Sequence, residues 1–157
     1  MEVNDYVLVA GVMVTLVLGI WNAIANHRLN KRTTFINTVT SQRIKWIEQL
    51  RQDVGAFCGL TYHWAHTDFE GKPDEGEILK EVDRLRHIIR LRLNPEGEHD
   101  KKIEELIEEI PRLTAPENQA KLVYALERMT QTTQLLLKEE WIKVKTESEH
   151  GSLSERA

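Results

Sequence analysis

The sequence predicts an all-α protein: one N-terminal transmembrane helix followed by a cytoplasmic, antiparallel three- to four-helix bundle. Three observations predict it. The stretch from Tyr6 to Ala25 (YVLVAGVMVTLVLGIWNAIA) carries no charge. After it, apolar residues recur at steps of three and four, the spacing of a helix that buries one stripe. The 157 residues include only four prolines and eight glycines, and Glu, Lys, Arg, Leu and Ile are abundant, a composition that favours helix.

The apolar stretch sets the organisation. About twenty residues at ~1.5 Å rise each cover roughly 30 Å, the hydrocarbon thickness of a bilayer. Tyr6 and Trp21 are amphipathic rings at its two ends, where headgroups lie. Glu2 and Asp5 precede it, whereas Arg28, Lys31, Arg32, Arg43 and Lys45 follow. The positive flank stays inside, so residues 1–5 are expected outside and the C-terminal part in the cytoplasm, at the inner (cytoplasmic) membrane. Two other readings compete. A buried helix of a soluble protein seldom runs this long without a charge. A cleaved signal peptide could end at Ala23-Ile24-Ala25, but the leader lacks a basic start and its apolar core is too long.

Gly11, Thr15, Gly19 and Ala23 recur every fourth residue and so share one slowly drifting face. Small residues let two helix backbones approach closely, and a threonine hydroxyl can hydrogen-bond across such a contact. This face is the expected site of self-association in the membrane. Tyr6, Trp21, Arg28, Lys31 and Arg32 are the expected anchors to membrane lipid. Basic side chains close to an anionic surface gain roughly 1 kcal/mol each.

Residues 26–146 form the expected cytoplasmic domain. Its first helix, about 33–66, has a seam at Ile47, Leu50, Val54, Phe57 and Trp64, with Thr61 filling a gap. Ile36, Val39 and Ile44 extend that seam weakly back toward the membrane as a stalk. Residues 67–75 (TDFEGKPDE) are a loop, closed by a capping-box pattern at Asp74 and Glu77. The second helix, about 75–93, buries Ile78, Val82, Leu85 and Ile89. Its polar face changes from Glu77, Glu81 and Asp83 to Arg84, Arg86, Arg90 and Arg92, the order the helix dipole favours. Asn94 and Pro95 end it, and Asn94 is placed to cap the next helix. The third helix, about 98–113, has a stripe at Ile103, Leu106, Ile107 and Ile110. Thr114 and Glu117 form a second capping-box pattern. The fourth helix, about 116–146, has one seam at Leu122, Leu126, Met129, Thr133 and Leu136. A second strip at Val123, Leu137, Trp141 and Val144 suggests a second neighbour. Residues 147–157 read as a disordered tail.

Composition narrows the function classes. A net charge of −4 and a pI near 5.9 give no basic footprint, so no nucleic acid is expected as a partner. The single Cys58 forms no internal disulfide and suits a reducing compartment. Cys58, His63, His66, Asp68 and His99 are zinc-type ligands, but Cys58 lies about 140° round a helix from His63. Glu104-Glu105 and Glu108-Glu109 read as a solvated face, because the Glu-x-x-His of a di-metal bundle is missing. There is no phosphate loop, nucleophile elbow, H-E-x-x-H or dinucleotide fingerprint. No catalytic residue, metal or cofactor is therefore expected, and no enzyme activity.

Two phrases occur together: Arg43-Ile44-Lys45-Trp46-Ile47-Glu48-Gln49-Leu50-Arg51, and Ile89-Arg90-Leu91-Arg92-Leu93-Asn94-Pro95 followed by His99. Over residues 5–110 the chain resembles a group of small bacterial single-pass membrane proteins of unassigned function, with R-x-x-W-I-x-x-L-R and L-x-L-N-P-x-x-x-H motifs. The resemblance implies no activity. It does imply that Arg43, Trp46 and Arg51 pack or pair against the Asn94-Pro95 corner, with His99 near it. The functional expectation is a membrane-anchored interaction protein, a homo-oligomer that recruits or senses a cytoplasmic protein partner. The alternative is a membrane-perturbing effector triggered by clustering, for example in phage defence. A metal-dependent enzyme is the outsider.

Overall fold

The computed structural model describes residues 3–67 and 75–150. Every regular element among them is helical. The anchor and the first expected cytoplasmic helix are one continuous helix, α1, Val3–His66. No proline, and no glycine between Gly19 and Gly55, interrupts its middle, so nothing in the sequence breaks the hydrogen-bond ladder there. At ~1.5 Å per residue its 64 residues reach roughly 96 Å.

Helix α2 spans Glu75–Arg92, α3 spans Glu98–Glu109 and α4 spans Gln119–His150. Two short 3₁₀ turns, Ile110–Leu113 and Pro116–Asn118, join α3 to α4, each with proline in its first turn. Arg92, at the end of α2, reaches Trp46, Gln49 and Asp53 of α1, so α2 runs back along α1. Helix α4 packs on α1 and α3.

One apolar core joins the four helices. It takes Leu50, Val54 and Phe57 from α1, and Leu85 and Ile89 from α2. Ile103, Leu106 and Ile107 come from α3, and Leu122, Met129 and Leu136 from α4. The expected seams are therefore the buried ones, with differences at their edges. Ile36 is buried and Ile44 exposed on α1. The second strip of α4 divides, because Leu137 and Val144 are buried while Val123 and Trp141 face out. Thr61 and Thr133 sit in the core, their hydroxyls donating back to Phe57 O and Met129 O. A threonine can occupy an apolar seam when its own helix accepts its proton.

Three local expectations are corrected. Asn94 does not cap α3; Gly97 occupies the cap position, and Asn94 Oδ1 instead accepts the Glu96 N–H at 3.2 Å. Thr114 forms no capping box, because its hydroxyl turns back to Pro111 O at 3.1 Å and Ala115 precedes the next turn. Helix α4 continues past Thr146 to His150, which takes residues 147–150 out of the expected tail. Asp74, most of the expected 67–75 loop, and residues 151–157 lie outside the described residues.

Candidate functional site

The first candidate surface is the N-terminal part of α1. Ala10–His27 is long and apolar enough to cross a membrane, with mean hydropathy 1.3 over 18 residues, and none of it is buried inside the fold. Leu16, Val17, Leu18 and Ile20 are each more than half exposed, and Trp21 is 75% exposed. Apolar groups outward all the way round are what a hydrocarbon environment selects.

Gly11, Thr15, Gly19 and Ala23 are all exposed. A Cβ built on Gly11 or Gly19 meets nothing within 4 Å, so the fold itself gives no reason for glycine there. The Thr15 hydroxyl donates to Gly11 O at 2.8 Å, within its own helix. Tyr6, Arg28, Lys31 and Arg32 lie on α1 by their backbone; their side chains are outside the described residues.

The second candidate is the corner between α2 and α3. Trp46 Nε1 donates to Arg92 O at 3.1 Å. The Arg92 guanidinium donates to Asp53 at 2.7 Å and to Gln49 at 2.6 Å, which ties the end of α2 to α1. The Asn94 N–H donates to Asp100 Oδ1 at 2.7 Å, and Asp100 is buried. Glycine suits that approach, because a Cβ at Gly97 would run into the Asp100 carboxylate and push it from its place. Pro95 is exposed, and His99 Nε2 lies 3.1 Å from Glu139 Oε1 of α4.

The structure divides the expected motif cluster. Trp46 reaches the corner, through Arg92 rather than through Asn94 or Pro95. Arg43 turns to α4, with Glu147 Oε2 at 2.5 Å and Glu140 Oε2 at 3.3 Å. Arg51 pairs along its own helix with Glu48, and both are more than half exposed. The residue that sequence reading missed is Glu147, fully buried. Its signal was its spacing, since Glu140, Val144 and Glu147 continue the steps of the α4 seam. A charge at a buried seam position needs a partner, and Arg43 supplies it.

The arginine run of α2 is likewise taken up by carboxylates. Arg84 pairs with Glu81 at 2.6 Å, Arg86 with Asp83 at 3.0 Å, and Arg90 with Glu104 at 3.2 Å and with Glu108. The hydrogen bond from Arg90 holds the Glu108 carboxyl below its usual value. Thus Glu104 and Glu108, expected to face solvent alone, join α3 to α2.

Among the described residues no three His, Cys, Asp or Glu groups gather as a metal site; Asp68 lies outside them. His63 Nδ1 meets Thr67 Oγ1 at 3.2 Å, and His66 stacks on Tyr62 with ring centroids 3.9 Å apart. Burial pushes the Cys58 thiol up to about 12, which disfavours the thiolate that binds metal or attacks a substrate. Comparison with protein-family models, with curated proteins and with solved structures finds no match to this chain.

Proposed function

We propose that the protein is a single-pass membrane-anchored helical interaction protein. Its N-terminus lies outside the inner (cytoplasmic) membrane, and residues beyond about 33 form a cytoplasmic antiparallel bundle. The bundle recruits or senses a cytoplasmic protein partner, and the Gly11/Thr15/Gly19/Ala23 face brings copies together. The observation that carries the reading is the exposure of Ala10–His27: none of this stretch is buried, whereas α2, α3, α4 and the distal part of α1 each bury an apolar stripe. The basic flank after the span supports the orientation.

The test is fractionation of cells expressing the full chain, followed by an alkaline carbonate wash and by protease treatment of spheroplasts. Retention in the washed membranes, with residues beyond 33 protected until the inner membrane is opened, is the expected result. Release by carbonate, or digestion from outside, overturns it.

A further inference from the structure

We infer that α1 docks a second copy of α1, parallel and in register, along one face that continues beyond the span. The inference rests on the membrane-anchored reading above, because a shared bilayer is what makes two copies parallel.

At about 100° per residue, Asn22, Asn26, Asn30 and Asn37 fall within an arc of roughly 80°. That arc points in the same direction as Gly11, Thr15, Gly19 and Ala23. It lies about 100° round from the seam of Ile36, Leu50, Val54 and Phe57 that packs into the core. Exposure agrees with this geometry, since all four asparagines are exposed. Farther along, Gly55 falls in the same arc and Gly59 about 20° beyond its edge; both are exposed and would meet nothing within 4 Å if given a Cβ.

This composition has a helix cost that the single chain does not explain. Asparagine and glycine are poor helix formers, by roughly 0.5–1 kcal/mol each relative to alanine. Asn26 donates to Asn22 Oδ1 at 3.1 Å, a contact open to solvent.

A second copy explains the choice. Parallel, in-register helices set residues at the middle of the contact against their own counterparts, and residues on its opposite edges against each other. An asparagine amide carries both donor and acceptor, so it pairs with itself, and one such position can fix register. Glycine lets the two backbones close together. Lysine or arginine would repel its counterpart, and Arg28, Lys31 and Arg32 occupy register positions outside the arc. Between Asn22 and Tyr62 the charges within the arc are Glu48 and Arg51, of opposite sign and 2.6 Å apart. Each can meet the other's counterpart on the second copy.

The experiment uses the full chain in lipid vesicles, with Cys58→Ala as background. Asn30→Cys and Asn37→Cys place a thiol on the face. Gln42→Cys, exposed and about 140° round from Asn37, is the control. Copper-catalysed oxidation is expected to link chains at Asn30→Cys and Asn37→Cys and to leave Gln42→Cys at background. In the second measurement, Asn37→Lys is expected to weaken association at least about tenfold while Gln42→Lys leaves it unchanged, since like charges would be held in contact. Unchanged circular dichroism and melting in both variants show that the fold is intact. Equal linking at Gln42→Cys, or full association of Asn37→Lys, overturns the inference. If chains still link at Gly11→Cys and Gly19→Cys in that case, the span reading survives alone. A monomer at every lipid dilution overturns both.

Discussion

The two ends of α1 use the same secondary structure for opposite purposes. From Ala10 to His27 the apolar side chains point outward on every side. From Ile36 to Thr61 a stripe of Ile36, Ile47, Leu50, Val54 and Phe57 is buried, Ile44 stands exposed, and the rest of the circumference carries mainly polar residues and glycine. The backbone does not change between them. What changes is where the apolar groups go, outward in one half and into the core in the other, and the difference teaches that helix continuity is separate from burial pattern.

The largest expected effect breaks the comparison directly. Phe57 is fully buried, and Phe57→Ala is expected to destabilise the fold by about 4 kcal/mol, a lost transfer energy plus a cavity. Leu18, 61% exposed, is expected to give no measurable change on Leu18→Ala. Denaturant unfolding of the full chain in detergent checks both, and equal effects would end the distinction. Next comes the near end of the buried half, where the last turns of α4 meet α1. Glu147→Ala leaves Arg43, only 17% exposed, without its closest carboxylate and is expected to cost about 3 kcal/mol in the same assay. Trp46→Phe removes one hydrogen bond to Arg92 O and is expected to cost about 1 kcal/mol, with α2 amides near Arg92 exchanging faster with deuterium. Arg51→Ala is expected to change stability by less than about 0.5 kcal/mol in a monomeric preparation, because its pair with Glu48 is exposed.

A pH experiment sharpens the distal half. The folded Cys58 thiol is raised from 9.0 to about 12 by burial. The folded state therefore holds its proton where the unfolded chain loses it. The stabilisation is fully present below pH 9 and is lost as pH rises toward 12. Maleimide labelling is expected to stay slow in the folded protein through pH 9 and to quicken only at higher pH. Labelling as fast as in the unfolded chain would contradict it.

Much of this fold was legible in the sequence because periodicity and charge are local properties. The seams at Leu50/Val54/Phe57 and at Ile103/Leu106/Ile107 follow from steps of three and four, and the exposed apolar stretch of α1 follows from its missing charges. What was not legible depended on distant partners. Glu147 reads as part of a polar tail until Arg43 stands across from it. Thr114 and Glu117 spell a capping box, but the proline-led 3₁₀ turns set a different geometry. Gly97 serves Asp100, which bonds backward to Asn94, a closure no spacing rule announces. The motif phrases placed Trp46 at the corner, whereas Arg43 and Arg51 serve other contacts.

Because α1 is unbroken from Val3 to His66, it is also a lever. On the membrane-anchored reading proposed above its pivot is the bilayer, and its far arm, beyond His27, is roughly 58 Å long. A thinner bilayer tilts a span of fixed length. A tilt of about 10° swings the His66 end sideways by roughly 10 Å, carrying the packed core with it. On that reading, membrane thickness sets the lateral position of the distal domain.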